Sequence, residues 1–421
     1  MSNSQLPQTG VGRISQPYAL LLLPPPASLA FSDLKATYGS TLSKVLLKQA
    51  KSLNGANRIA ILDVGVTVPG ALSKTFQPRA KLFANLQYLL ANLYTLIGAI
   101  CAAEKIELDG PGGIDVRIFF VDNDPKSQAS PSANSSGPSV LGPIIDLRTL
   151  VTCGRSWDAI YTLNSKQTQD LVVLSDNTFS SAPGRSQLPP ISTVSDSEAS
   201  LTPSEAPIAA DITHSGPHYS VAVGGTFDHL HIGHKLLLTA TALAIDPVPE
   251  GQHIERLLTI GVTGDELLVN KKYAEFLESW DERSRSCAVF LAAIMDFSLP
   301  EKSAPQVEQA SKPEPNGRYT LTKVSSDLSL KLVQISDPFG PTITDKEITA
   351  LVVSKETRSG GKAVNDKRAE KQWPALEIFE VDVLQTGEVA ETGASSVESF
   401  ESKISSTDIR RRRMDMAKGN L

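Results

Sequence analysis

The chain has 421 residues, 41% hydrophobic and 20% charged, with a formal net charge of −6. That length exceeds one ordinary domain, so two domains joined by a linker are expected, and the acidic balance gives no bulk attraction to nucleic acid or to an anionic membrane surface. Cys101, Cys153 and Cys287 form no CxxC pair, which argues against a disulfide framework or a zinc site and for a reducing, cytoplasmic setting, with the nucleus as the alternative.

The first ~15 residues are polar and are expected to be a loose tail. Residues 18–31 are apolar, but Pro24, Pro25 and Pro26 interrupt them, and without a basic start or a cleavage site no secretory signal is expected. Residues 32–50 read as a helix and 58–64 as a buried strand. Residues 82–104 read as a long helix whose apolar run is broken by Asn85, Gln87, Asn92 and two tyrosines, which predicts a core helix rather than a bilayer span. Strands are expected at 116–121 and 170–174. Strands separated by helices predict an α/β domain with a mostly parallel sheet over residues 1–178. Residues 39–44 lack the spacing of a phosphate loop and are discounted. Residues 126–143 are Ser/Pro-rich and read as a surface insertion. Residues 179–217 carry few large apolar side chains and read as a disordered linker.

Beyond the linker, over residues 218–421, strands are expected at 219–225, 257–264, 330–335, 350–354 and 376–383. Helices are expected at 233–244 and 281–297, the second opened by a capping box from Ser279 to Glu282. Residues 301–317 read as a polar interruption. A strand–loop–helix series of this kind places binding loops at the strand C-termini.

Two constellations carry chemistry. The first runs from Gly224 and Gly225 through Thr226, Phe227, Asp228, His229, Leu230, His231, Ile232 and Gly233 to His234. A strand ends on glycines, where backbone can approach a ligand. A helix then begins near Gly233, with free N–H groups and a positive dipole end that favour phosphate. Imidazoles at that helix start can donate to phosphate oxygens as charge builds. The second runs from Lys403 through Ile404, Ser405, Ser406, Thr407, Asp408 and Ile409 to Arg410: serines before a helix, hydroxyls and a guanidinium make a second anion site. Lys271 and Lys272 supply mobile cations. Two such sites in one domain suit a polyphosphate.

With these residues in place, the second half resembles the nucleotidyltransferase superfamily defined by an (H/T)xGH motif near the first strand and a late ISSTxxR-type motif. His231-Ile232-Gly233-His234 and the run from Ile404 to Arg410 match them. The fuller pattern GGTFDxLHxGH, matched from Gly224 to His234, is similar to that of eukaryotic phosphopantetheine adenylyltransferases. Asn270 to Tyr273, Asp337 to Thr342, and Ser354 to Thr357 with Gly360 and Gly361 look like the same family. The resemblance covers about 200 residues and says nothing of 1–178. It implies a Rossmann-like domain with a parallel sheet that joins ATP and 4′-phosphopantetheine into dephospho-coenzyme A and pyrophosphate, with Mg²⁺ entering with ATP and other coenzyme A pathway enzymes as candidate partners.

Carried over by motif, His234, Lys271 and Thr226 are the catalytic residues. Gly225, Thr226, Phe227, His231, Gly233, His234, Ser405, Ser406, Thr407 and Arg410 bind ATP, and Thr226 and Lys271 bind the acceptor. No protein metal ligand is expected, and His229, His231 and His234 lack a downstream partner at zinc spacing. Lys355 and Arg358 depart from the arginine pair of bacterial members, which leaves their ATP roles open. The alternatives are nicotinamide mononucleotide adenylyltransferase, which shares both motifs, and a scaffold bearing a transferase-like domain. Residues 216–421 are expected to fold and act without the first half.

Overall fold

The computed structural model describes residues 16–53, 58–108, 110–124, 141–163, 165–179, 188–194, 216–249, 251–298, 306–312, 316–384, 400 and 405–419. The expected N-terminal tail lies outside them, as do most of the Ser/Pro-rich insertion and most of the linker.

The first half runs β1 (Tyr18–Leu23), α1 (Phe31–Ser52), β2 (Ala60–Thr67), α2 (Ala80–Ala103), β3 (Ile114–Asp122), β4 (Ile144–Asp146), α3 (Leu147–Thr152), β5 (Ala159–Thr162), α4 (Ser165–Phe179) and β6 (Ile191–Thr193). Its strands form one parallel sheet in the order β4-β3-β2-β1-β5-β6. β1 is the apolar run ahead of the prolines, and Leu20 to Leu23 are buried, as in a strand covered on both faces.

Two expectations are corrected here. Residues 170–174 belong to α4, not to a strand: Leu171 is buried while Val172 and Val173 are 41% and 58% exposed, a one-sided burial that a short apolar run does not reveal. Part of the expected linker is also structured, since α4 reaches Phe179 and β6 pairs with β5. Residues 39–44, discounted as a phosphate loop, lie inside α1.

The second half runs β7 (Ser220–Gly225), α5 (Ile232–Leu243), β8 (Arg256–Thr263), α6 (Trp280–Met295), β9 (Val307–Ser311), β10 (Arg318–Lys323), β11 (Leu328–Ile335), β12 (Ala350–Ser354), α7 (Arg358–Glu370), β13 (Glu377–Val381) and α8 (Ser406–Gly419). The sheet order is β13-β12-β7-β8-β11-β10-β9. Its first five strands are parallel, and β9 and β10 extend it antiparallel. β9 falls in the stretch read as a polar interruption, because an edge strand exposed along most of its length has no apolar alternation to show. The capping box at the start of α6 forms as expected: Ser279 accepts from the Glu282 N–H, and Glu282 accepts from that of Ser279.

Leaving aside β4, β9 and β10, both sheets carry the same order of parallel strands, third-second-first-fourth-fifth. Each therefore has a topological switch point beside its first strand, β1/β5 in one half and β7/β12 in the other.

The halves are packed together. α2 lies against α1 of its own half and α5 of the other. It is long and apolar enough to cross a membrane, but 78% of its most apolar stretch is buried inside the protein. Phe83 meets Phe379 with ring centroids 4.7 Å apart. Gln87 donates to Asp382 Oδ2 at 3.0 Å and accepts from the Asp382 N–H at 2.9 Å. The Arg79 N–H donates to Asp246 at 2.6 Å, while Arg155 caps carbonyls at the C-terminal end of α6.

Candidate active site

β7 ends at the switch point on Gly224 and Gly225, and the chain then turns sharply. Phe227 and His229 both take left-handed backbone conformations, φ 53° and 47°. Such angles are costly for side chains larger than glycine and persist only where surroundings over-determine them. The Phe227 ring is fully buried under the preceding glycine, where a Cβ on Gly225 would lie 2.9 Å from Cζ. The His229 N–H donates to Glu278 at 2.9 Å, and its Nε2 lies 2.8 Å from the Phe276 carbonyl, so Nε2 carries the proton. Asp228 Oδ1 accepts from the Glu278 N–H at 3.0 Å.

The loop delivers the chain to His231, the N-cap of α5, whose carbonyl accepts the first helical bond from Lys235 N–H at 3.0 Å. The N–H groups of the first turn have no intrahelical acceptor and point outward from the positive end of the dipole. His231 and His234 stack at this end with ring centroids 3.8 Å apart, and Phe227 lies 5.4 Å from His234. Gly233 permits the stack, since a Cβ there would sit 3.2 Å from the His231 ring. Burial lowers both imidazoles, with neighbouring histidines adding to the effect. His234 falls to about 3 despite Glu278, and His231 falls well below the ordinary value. Both are neutral at pH 7, and the Nδ1 of each has no hydrogen-bond partner among the described residues.

The second motif comes to the same place. Ser405 opens α8, its side chain accepting from the Asp408 N–H at 3.3 Å, and Ser406 Oγ donates to the Asp228 carbonyl at 2.9 Å. The start of α8 is thus fastened to the loop that leads into α5. Ser405, Ser406 and Thr407 are partly exposed.

Arg410 requires a correction. Expected as a polyphosphate ligand, it is instead buried. Its guanidinium pairs with Asp228, donates through Nε to the Lys272 carbonyl at 3.0 Å and meets Thr407 Oγ1 at 3.1 Å. It joins the two motifs and holds the segment after β8. Lys271 and Lys272 lie on that segment with exposed side chains, and Thr226 is partly exposed at the end of β7.

Arg283 on α6 was not anticipated. Fully buried, it donates to the carbonyls of Thr226 at 2.6 Å, Thr263 at 2.7 Å and Glu278 at 2.9 Å, and to Asp265 at 2.6 Å. It therefore ties together the ends of β7 and β8 and the start of α6. A sequence signal existed: Arg283 falls in register with Trp280, Cys287, Phe290 and Ile294 on the apolar face of the helix. Asp337 is a turn residue, accepting from the N–H groups of Phe339 and Gly340 at 2.7 and 2.8 Å. Lys355 and Arg358 are exposed, and Arg358 pairs with Glu380 at 2.9 Å.

Asp228, His229 and Glu278 bring potential metal-ligating atoms within 4.8 Å of one another. Each already has protein partners: Arg410 for Asp228, and one another's backbone and side chains for His229 and Glu278. The cluster fits a brace for the loop better than a cation site.

Residues 1–196 match a family model described as a domain of unknown function (DUF8446). The chain is 37% identical over 190 residues to an uncharacterized protein of Schizosaccharomyces pombe, covering 45% of this chain and 46% of that one. It is 36% identical over 190 residues to a phosphopantetheine adenylyltransferase of Saccharomyces cerevisiae, covering 45% and 47%. With a phosphopantetheine adenylyltransferase of Thermococcus kodakarensis it shares 29% identity over 166 residues, covering 39% of this chain and 76% of that one. The matches span about half the length of the two yeast relatives.

Proposed function

We propose that the second half transfers the adenylyl group of ATP to 4′-phosphopantetheine. A phosphate oxygen of the acceptor attacks the α-phosphorus, the bond to the β-phosphate oxygen breaks, and dephospho-coenzyme A and pyrophosphate result. The observation that carries the reading is the 2.9 Å bond from Ser406 to the Asp228 carbonyl. It sets the N-terminus of α8 beside the loop entering α5, at the sheet's switch point. Two positive helix ends together can hold a polyphosphate across its length. The similarity to phosphopantetheine adenylyltransferases supports the choice of acceptor.

The nucleophile is already anionic, so no strong base is required and catalysis is positioning plus charge stabilisation. His234, a neutral imidazole at the start of α5, donates a hydrogen bond to the α-phosphoryl group as its charge shifts, and His231 backs it through ring stacking. Lys271 reaches from its exposed segment to bridge acceptor and nucleotide, and Thr226 faces the same region from the end of β7. Gly225 leaves room for the Phe227 ring that fixes the loop, and Gly233 for the stacked imidazole of His231, so both glycines shape the nucleotide site. Ser405, Ser406 and Thr407 hold the leaving phosphates. Mg²⁺ enters with ATP, carried on phosphate oxygens and water.

Pyrophosphate release, followed with ATP and either phosphopantetheine, nicotinamide mononucleotide or phosphocholine as acceptor, tests the proposal. Release with phosphopantetheine alone, with dephospho-coenzyme A found by mass, is expected. Release with nicotinamide mononucleotide alone assigns that reaction instead, and release with none of them favours a non-catalytic scaffold.

A further inference from the structure

Four residues at the start of α5 divide into two pairs. His231 and His234 stack on each other at the proposed site. Ile232 and Lys235, one position along and likewise three apart, share a different face of the helix. That face meets the first half. Lys235 is buried, its ammonium 2.5 Å from Asp115 Oδ1 and 3.4 Å from the Val116 carbonyl, both on β3. Ile232 packs on α2 where Gly98 leaves no room: a Cβ there would lie 2.9 Å from Ile232 Cδ1 and 2.5 Å from Phe400 Cε2. The second helix of the site is held in the same manner. Arg412 on α8 pairs with Glu107, just before β3, at 2.7 Å.

We propose that the first half is a working part of the transferase site, with Asp115 the positioning residue for the imidazoles of α5 and Glu107 that for α8. This rests on the adenylyl-transfer reading. In this role the described residues of the first half act on the helices and not on the reacting atoms. It fixes the angle and depth of the two helices whose N-termini would hold the phosphates. Because Lys235 adjoins His234 on one rigid turn, displacement at the Asp115 contact moves the imidazole with it. Burial alone would raise the Asp115 carboxyl, but Lys235 and Arg117 hold it down at about 2, so the pair is charged across the neutral range. A misplacement of ~1 Å at a site working by positioning is enough to cost on the order of 100-fold in rate.

The test uses the full chain carrying Asp115→Asn or Glu107→Gln, read by steady-state kinetics with ATP and phosphopantetheine and by amide hydrogen exchange. For Asp115→Asn the expected result is a kcat about 10–100-fold lower with both KM values within about threefold, the pattern of an interaction that matters mainly in the transition state. Exchange should quicken in α5 and stay unchanged in β7 and β8. Unchanged exchange in α5, or quicker exchange there with normal kcat, overturns the proposal, as does equal quickening throughout the second half. If Asp115→Asn does not fold, Glu107→Gln decides. Its pair is partly exposed and contributes little to stability, so a lowered kcat with quicker exchange confined to α8 sustains the proposal, and normal kcat overturns it. If the unaltered chain transfers nothing to phosphopantetheine, the functional reading fails. The brace then stands if exchange quickens in α5 alone and falls if it does not.

Discussion

Arg410 and Asp228 form a buried ion pair that joins the late motif to the loop after β7. Both side chains are almost fully removed from water, and Arg410 holds the Lys272 carbonyl at the same time. Removing one partner of such a pair strands the other charge, at a cost of about 3–5 kcal/mol. Arg410→Ala is therefore expected to lower stability by that amount in denaturant titration and to weaken use of ATP and acceptor alike. A variant of normal stability with a raised KM for ATP alone would make Arg410 a direct phosphate ligand.

Legibility followed the length over which a pattern repeats. β7, α5, β8 and α6 stand within a residue or two of their expected places, because strand runs, glycines and a capping box agree there. β5 and β6 have four and three residues, too few for any periodicity. In the site, the two motifs that carry His231, His234, Ser405 and Ser406 stand out in the sequence, and the structure brings the starts of α5 and α8 that bear them together. The misplacement of Arg410 and the omission of Arg283 share one cause. Sequence presents a cation and a motif, but whether a guanidinium meets solvent or a set of carbonyls depends on strands far away in the chain. The contact between halves was hidden similarly: Asp115 and Lys235 are 120 positions apart.

Arg283 offers a second test. Its guanidinium satisfies the carbonyls of Thr226, Thr263 and Glu278 together. An unsatisfied buried acceptor costs about 1–3 kcal/mol, so Arg283→Met should destabilise by at least about 3 kcal/mol. Arg283→Lys should recover only part of this, because an ammonium cannot span three carbonyls in a plane. Thermal melting and amide exchange at Thr226 and Thr263 measure it, and a Met variant as stable as the parent would refute the role.

The lowered imidazoles predict a pH response. An unfolded histidine takes up its proton near pH 6.5, while burial holds His234 at about 3 and His231 well below the ordinary value. The folded state binds fewer protons, so the associated stability is present in full above pH ~6.5 and is lost as pH falls from there toward 3. Each histidine should contribute a slope approaching about 1.4 kcal/mol per pH unit in that window. Proton NMR should show neither imidazole titrating between pH 8 and 5 in the ligand-free protein. An inflection near 6.5 assigned to His234 would contradict the burial.

Separating the halves should be costly. Buried residues of α2 and of α5 belong to one continuous core. A fragment beginning at residue 216 would expose the face of α5 that carries Ile232 and leave Lys235 without Asp115. It is expected to be less soluble and to melt lower than the full chain, contrary to the independence that the Ser/Pro-rich segment suggests. Equal melting temperature and equal rate in the fragment would show that the interface contributes nothing.

His234 gives the most direct test of mechanism. It stands at the N-terminal turn of α5, stacked on His231, neutral, with a ring nitrogen that meets no partner among the described residues. A core histidine would be locked by hydrogen bonds, as His218 is by Thr349 and Glu377 at 2.9 Å each. His234 is not held that way, so no bond to the described residues at its Nδ1 competes with the role proposed for the ring during transfer. Its contribution should appear in kcat rather than in KM, since the resting substrate gains little from it. His234→Ala is expected to lower kcat by roughly 10²–10³-fold, the loss typical of one preorganised donor, with the KM for ATP nearly constant. Melting should change little, because the deletion breaks no hydrogen bond of the described residues and removes a ring that costs desolvation. His231→Ala should behave more mildly, through loss of the stacked support. Kinetics and melting of the two variants side by side give the answer: a well-folded His234→Ala protein with near-normal kcat would remove His234 from the mechanism.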